Sequence, residues 1–398
     1  MDSASVAPPQ GLLVVTIDRL PAWMLPAWGA TWVSAPAIDG LAARGLVFDR
    51  LLATSLDPRD TSRDLAAAGA VWSRAAEAGW PGAVVTDDPE LPARMEGVER
   101  IEVAATAGTD TASTAEETNL ARLFARARDV VAAGRHRLVW CHAGSLGVAW
   151  DAPDSFREAY VDPEDPPPPP GARVPCFQVD ADTDPDRVVG VRQVFAGQLT
   201  LLDRCLGGLL EAALSADGGR WAILFAGLRG MPLGLHGVVG CEAGRRAGGL
   251  PYGEWMHLPA ILVDPLGRMA GQRYGGLAVA ADLGATLVDL FAGSGRAASA
   301  PAGGRSLAGL LESWSATPRD RVIVAAGDAA AVVTPDWQLV AERPRGGEER
   351  RPRLFAKPDD FFELSDVADR CAGVAEELAA VLGQLWQAGI DPGRHDAP

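Results

Sequence analysis

Apolar and polar positions along the chain repeat on two different periods, one of strands and one of helices. Residues 11–17, GLLVVTI, form a continuous apolar run of the kind expected for a strand buried on both faces, and the run ends at Asp18. Residues 35–53, APAIDGLAARGLVFDRLLA, read as a short helix with Ile38, Leu41 and Ala42 on one face, a stop at Gly45, and a second apolar strand. A helix over 61–79 with Thr61 or Asp60 as its cap precedes a strand over 82–88, GAVVTDD. The alternation continues as a helix over 116–134, a strand over 137–144, a long helix over 186–214 and a strand over 220–227. A strand over 258–265 and a helix over 282–293 complete it. This order implies an α/β fold, a large, mostly parallel sheet with helices on both faces. Polar residues at the carboxyl ends of its strands, Asp18 first, lie where such folds place their sites.

A Gly-, Ser- and Ala-rich stretch at 292–306 then loosens the chain. Past residue 316 the texture changes to short strands, RVIVAAG, AAVVTPDWQLVAE and RPRLFAKPDD, followed by a helix over 365–387. The expected division is a large α/β domain over 1–316 and a small C-terminal α+β subdomain over 317–398, an antiparallel sheet covered by one helix. The proline run within 162–175 is expected to be an extended, exposed spacer. No internal repeat is visible.

Composition narrows the partners more than the chemistry. A formal net charge of −16 over 398 residues repels polyanions, so nucleic acid is not an expected partner. No apolar run reaches the roughly 18 residues of a membrane span, and residues 1–10 lack the basic and apolar regions of an export signal. A protein of the cytoplasm, with no membrane partner, is the expectation. Five scattered cysteines without C-x-x-C spacing predict buried free thiols instead of a disulfide framework or a zinc site. Lysine occurs once, at Lys357, and asparagine once, at Asn119, so chemistry that needs either has almost nowhere to find it.

Residues 225–237, FAGLRGMPLGLHG, carry a strand into a glycine-containing turn and a lone histidine, His236. At the turn stand Leu228 and Arg229, neither of which ligates a metal ion under ordinary conditions. Five ordered segments, this one among them, resemble sulfatases of the alkaline phosphatase superfamily. VVTID at 14–18 is similar to that family's first strand with its metal-binding aspartate. APAIDGLAARGLVFDRLLA resembles its TPNLDRLAARGLVFDN helix and strand, and FAGLRGMPLGLHG its FTSDHGEMLGEHG loop. DLGATLVDLFAG at 282–293 resembles DLAPTLLDLAG, and RLFAKPDDFFELSDVADRCAGVAEEL resembles the C-terminal ELYDLENDPGELNNLAD segment.

The resemblance implies a divalent metal, calcium or magnesium, held by aspartates after the first strand and by an aspartate with an asparagine or histidine in the later loop. Asp18 matches the first ligand. Arg19 stands where many members carry a second aspartate, and Leu228 and Arg229 occupy the ligand positions of the later loop. One carboxylate does not hold an ion that takes six to eight oxygen ligands, so no metal or other cofactor is expected. Arg229, with Arg19 helping, is expected to place a guanidinium where the cation would lie and to pair with Asp18. Removing one partner of such a buried pair costs on the order of 3–5 kcal/mol.

The family's nucleophile position falls in TSLDPRDTSRDL (54–65), at Arg59 or Leu56 depending on register, and neither is a nucleophile. Thr61 and Ser62 read as helix caps. The family's lysine falls near Asp87 and Asp88, and its H-x-PW histidine near Gly147, with Trp150 and Pro153 kept. His142 ends a strand and is open to a structural or a functional role. His257 is expected to be packed and His136 exposed, while His395 is in the tail. Trp23, Trp28 and Trp32 are read as core filling and loop anchoring, with a carbohydrate cleft as the other possibility.

The residual-site candidates are thus Asp18, Arg19, Arg59, Arg63, His142, Arg229 and His236. Two functions remain open: a sulfatase-like pseudoenzyme with a binding or regulatory role, or an active sulfuric or phosphoric ester hydrolase or transferase with an arginine-lined, metal-independent site. An anionic small molecule or sulfated carbohydrate is the ligand class either would take. The sequence names no protein partner.

Overall fold

The computed structural model describes residues 9–91, 97–216, 220–240, 250–292, 303–313, 316–344 and 350–388. Eleven strands precede the C-terminal sheet: β1 (Gly11–Ile17), β2 (Leu46–Leu52), β3 (Gly82–Thr86), β4 (Glu99–Glu102), β5 (Leu138–Ala143), β6 (Phe177–Gln178), β7 (Trp221–Gly227), β8 (Val238–Val239), β9 (His257–Leu258), β10 (Ala260–Val263) and β11 (Gln272–Val279). Nine of them form one sheet in the order β11-β2-β10-β7-β1-β5-β3-β4, with β9 beside β2, while β6 and β8 pair separately. The sheet is mostly parallel. β10 runs antiparallel to both its neighbours and β9 antiparallel to β2.

Residues of β1 alternate between two cores, as the period of a strand requires. Leu13, Val15 and Ile17 face one core with residues of α1 (Pro36–Arg44), α4 (Asn119–Ala132) and α6 (Pro185–Ser215). Leu12 and Val14 face the other, with residues of α2 (Pro58–Leu65), α3 (Ala70–Glu77) and α8 (Ala280–Ala292). Helices therefore cover both faces, and every residue of β1 is buried, which explains its unbroken apolar run.

Four details differ from the sequence expectation. One helix over 61–79 is in fact α2 and α3, separated at Ala67 and Ala68, both at positive φ, and Gly69. The cap of α2 is Asp57, whose side chain accepts the Arg59 amide at 2.9 Å with Pro58 in the first turn, so Thr61 and Ser62 lie buried inside the helix and do not cap it. β4 and β11 lack an apolar run because they are edges: ERIE is largely charged, and QRYGGLAV is half exposed with a register shift between Tyr274 and Leu277. Of the described cysteines only Cys141 is fully buried, and Cys176 is exposed.

The proline run is less free than a spacer would be. Arg157, at the end of the short helix α5 (Asp154–Glu158) and 2% exposed, donates to the carbonyl of Gly171 at 2.7 Å and to that of Pro169 at 3.4 Å. Pro168 and Pro169 are half-buried as a result.

Two short helices, α7 (Gly253–Met256) and α9 (Ala308–Ser313), lead toward the C-terminal sheet of β12 (Val322–Ala326), β13 (Ala329–Val333), β14 (Trp337–Glu342) and β15 (Arg353–Ala356), antiparallel in that order. Its strands alternate too: Val322, Val324, Ala331 and Val333 join the core beside α8, whereas Ile323, Val332, Leu339 and Leu354 pack on α10 (Ala372–Gln387). The residue-316 division falls between α9 and β12. α10 begins later than the expected residue 365 because Asp366 accepts the amides of Leu354 and Ala368, holding that segment in a turn against β15.

Asp282 in the first turn of α8 joins the two parts. Its carboxylate accepts the amides of Val279 and Arg305 and pairs bidentately with Arg319, ahead of β12, with both side chains nearly fully buried. Asp282→Ala removes the carboxylate paired with the buried Arg319 guanidinium, and is expected to cost about 3–5 kcal/mol of unfolding free energy, measurable by denaturant titration.

Candidate functional site

Strand register assembles the site. Ile17 pairs with Gly227 on β7 and with Ala143 on β5, and Thr86 on β3 pairs with His142. Parallel neighbours in this register release the next residues side by side, so Asp18, Leu228, Arg229, Gly144, Asp87 and Asp88 emerge at one sheet edge. Three backbone bonds tie the strand ends: Asp18 N–H to Ala143 at 2.9 Å, Leu228 N–H to Ile17 at 2.9 Å, and Leu20 N–H to Arg229 at 2.9 Å.

Asp18 and Arg229 form a two-pronged ion pair, Nε to Oδ1 at 2.9 Å and Nη2 to Oδ2 at 2.8 Å, with 6% and 5% of the two residues exposed. Fork-to-carboxylate geometry of this kind is the strongest that arginine makes. Arg19 approaches the same carboxylate, its Nε 3.8 Å from Oδ2, and donates from Nη1 to the Gly147 carbonyl at 3.0 Å. Its backbone is left-handed, with φ of 60°; for a residue with a side chain this costs about 1–2 kcal/mol. Gly147 makes the arrangement possible, since a Cβ there would lie 2.4 Å from Arg19 Nη1.

These residues open onto a cleft of about 490 Å3 lined also by Leu56, Asp57, Arg59, Asp88, Glu90 and Val148. Arg59, at the amino end of α2, is largely exposed and pairs with Asp57 at 3.2 Å and Glu90 at 3.5 Å. Arg63 does not line the cleft; one turn further along α2, it pairs with Asp60 at 2.7 Å. Thr61 and Ser62 are likewise buried away from it.

His142 lies behind the cleft, fully buried. The Trp140 indole N–H donates to Thr16 Oγ1 at 2.9 Å, and Thr16 Oγ1 lies 2.9 Å from His142 Nδ1. The hydroxyl oxygen keeps a second lone pair beside the one that accepts the indole proton, so it accepts from Nδ1–H or donates to a bare Nδ1 according to the ring's tautomer, and Nε2 carries the ring proton in the second case. That Nε2 has no hydrogen-bond partner among the described residues. Burial pushes the His142 pKa down, opposed by the charges of Asp87, Asp18 and Asp88. Burial also raises Asp87, against the Gly144 amide that donates to its Oδ1 at 2.6 Å.

His236 belongs elsewhere. Its ring stacks on Tyr252 at 3.8 Å between centroids, and its Nε2 lies 3.5 Å from Glu363. Glu363 also accepts the Gly253 amide and the Lys357 ammonium. The histidine thus clasps the loop after β7 to the C-terminal segment and is absent from the cleft lining. His136, expected to be exposed, is 7% exposed and pairs with Glu99 at 2.8 Å, because the otherwise polar β4 folds over it. His257 is packed, its Nε2 donating to the Asp49 carbonyl at 2.7 Å. Trp28 is anchored through Nε1 to the Phe48 carbonyl, Trp32 lies edge-on to Tyr160, and Trp23 edge-on to Phe362, so the three do not share a cleft.

The residues present do not fit a divalent cation. Both Asp18 oxygens are taken by Arg229, Leu228 is fully buried in the core beside α8, and among the described residues no three His, Cys, Asp or Glu side chains are grouped to hold a metal ion.

No family model matches the chain, and no curated protein matches it in sequence. Solved structures do. A phosphonate monoester hydrolase of Agrobacterium radiobacter superimposes with a TM-score of 0.71 at 17% identity, over 97% of this chain and 96% of that one. A protein solved in complex with its substrate D-glucosamine-2-N,6-O-disulfate gives 0.72 at 12%, over 98% and 100%. A 2-O GAG sulfatase gives 0.70 at 15%, over 98% and 97%. The chain has the fold of these sulfatase and phosphonate monoester hydrolase structures.

Within that sulfatase fold, the positions singled out by resemblance converge while their residue types do not. Leu56 and Arg59, the two alternatives that the resemblance offers for the nucleophile position, Asp88 and Gly147, near its lysine and histidine positions, and Arg229, in its metal-loop segment, all line the one cleft. Glu90, which pairs with Arg59 from a distant segment, carried no sequence signal, whereas Asp57 lies two residues from Arg59 and was open to a local reading as the cap.

Arg229→Ala is expected to destabilise the protein by about 3–5 kcal/mol by removing the fork that pairs with the buried Asp18, whereas Arg59→Ala, at the surface, is expected to leave stability nearly unchanged; denaturant titration compares them. Burial lowers His257 to about 4, so between the ordinary value of 6.5 and about 4 the unfolded chain binds a proton that the folded one does not. Stability therefore falls as pH drops through that window, by about 3 kcal/mol from this group. His257→Gln removes that part of the loss when unfolding is followed from neutral to acid pH.

Proposed function

We propose that this protein is a pseudoenzyme on the sulfatase fold: it hydrolyses no ester, needs no metal ion, and uses the Asp18 cleft to bind a ligand in a regulatory or recognition role. The observation that supports this most is the Arg229–Asp18 pair, a fixed guanidinium that saturates the carboxylate a metal would need. The nucleophile position points the same way, since Leu56 and Arg59 line the cleft while Thr61 and Ser62 are buried in α2.

An arginine-based, metal-independent hydrolase is disfavoured by the pairing of its cations. Arg229 is held by Asp18, Arg59 by Asp57 and Glu90, and Arg63 by Asp60 away from the cleft. A sulfated sugar or other anion is the ligand class suggested by the substrate of a structural relative, and the same pairing weakens it here. The same proposal places the protein in the cytoplasm, which suits its four described cysteines, all free. Among the described residues no helix is long and apolar enough to cross a membrane.

Thermal unfolding with calcium, magnesium or EDTA, run beside turnover assays on aryl sulfate and aryl phosphate esters, tests the reading. The expected result is one melting temperature in all three and no turnover. A calcium- or magnesium-dependent rise, or turnover lost in Arg229→Ala, would overturn it.

A further inference from the structure

A second pocket, apart from the Asp18 cleft, lies where the C-terminal sheet meets β2 and β9. β2 contributes Leu52, β9 His257, β13 Val333, and the segment after β15 Phe361 and Phe362. None of these residues lines the cleft. Its aromatic walls stand nearly at right angles: Phe361 meets Phe362 at 85° with 4.9 Å between centroids, and Phe362 meets Trp23 at 88° with 6.0 Å. Phe361 also lies edge-on to His257 at 5.4 Å. Phe362 is 39% exposed, so part of this aromatic corner faces water.

His257 gives the pocket one directed polar atom. Its Nε2 meets the Asp49 carbonyl at 2.7 Å, and a carbonyl only accepts, so Nε2 carries the ring proton. Burial lowers the His257 pKa to about 4, which keeps the ring neutral at neutral pH and leaves Nδ1 with a bare lone pair. Nδ1 has no hydrogen-bond partner among the described residues, and it is not one of the unpaired atoms sealed from solvent. The charged groups of the pocket are already engaged. Lys357 donates to the carbonyls of Asp360 and Phe361 and to Glu363, Arg50 donates to the carbonyls of Thr334 and Pro335, and Glu254 accepts the amides of Leu233 and Leu235. Charges of both signs line the pocket, so neither a cation nor an anion meets a wall of one sign.

We infer that this pocket binds a small uncharged aromatic molecule bearing one hydroxyl or ring N–H, its ring against Trp23, Phe361 and Phe362 and its donor on His257 Nδ1. Edge-to-face contacts suit a further ring in such a corner, and one directed acceptor among apolar walls fixes its orientation. A ring without the donor leaves Nδ1 desolvated and unpaired, and so binds more weakly. The walls come from the large sheet and from the C-terminal sheet alike, so an occupant ties the two together and raises the melting temperature. This inference stands apart from the role proposed for the Asp18 cleft.

Phenol and fluorobenzene, rings of similar size with and without the donor, test it on the full chain beside benzoate and benzylamine. The expected result is that phenol raises the melting temperature and moves the Nδ1 NMR signal of His257, while each of the other three binds at least about tenfold more weakly. Leu235→Trp, which fills the pocket without altering charge, is expected to abolish both phenol effects, and Arg59→Ala, in the cleft, to leave them. No phenol binding, an unmoved His257 signal, fluorobenzene as tight as phenol, a charged ring tighter than phenol, or phenol effects that persist in a folded Leu235→Trp overturns the inference. The His257 signal is read on the native chain, so the test stands even where a variant fails to fold. Ester turnover and calcium stabilisation report separately on the reading of the cleft.

Discussion

A carboxylate at the end of a fully buried central strand has to be compensated, and the site is organised around how this chain does it for Asp18. β1 is enclosed by β5 and β7, with helices on both faces, so water cannot solvate the Asp18 charge well. An ion pair in such a place gains its value from geometry, because each charge has given up its hydration. Arg229 provides that geometry with two near-parallel hydrogen bonds. Around it Arg19 accepts a left-handed backbone and Gly147 forgoes a side chain. Three positions on three strand ends thus answer to one buried charge.

A guanidinium and a metal ion both neutralise carboxylates, but they leave different sites behind. A divalent cation keeps open coordination positions and polarises what binds there. A guanidinium has a fixed set of donors, no acceptor and no vacant orbital, so once its fork is filled it contributes charge and shape only. At the neighbouring positions Leu56 carries an alkyl chain, Arg59 a paired guanidinium and Asp88 a carboxylate, so none of the three brings a hydroxyl or thiol to the cleft. The character of the cleft is thus set by its lining of four carboxylates and three guanidiniums.

The frame around the cleft is held by separate means. His236, Tyr252, Glu363 and Lys357 clasp the loop after β7 to the C-terminal segment, and Asp282 with Arg319 fastens α8 to the chain leading into β12. These groups lie outside the cleft lining. The side chains that clasp the scaffold are therefore different residues from those that line the cleft.

The sequence by itself determined the α/β class, the central strands and the identity of the residues at their ends. β1, β5 and β7 were legible because strands buried on both faces must be apolar throughout, and the pairing of Asp18 with Arg229 because a buried charge demands an opposite one. Tertiary structure alone decided the rest. The edges β4 and β11, half exposed, carry no apolar signature, and the antiparallel direction of β10 leaves no trace in its four residues. Glu99 against His136 and Glu363 against His236 depend on segments meeting that local spacing does not relate. The same holds for the cleft's charge balance: whether an arginine is available to a ligand is set by which carboxylates the fold brings to it.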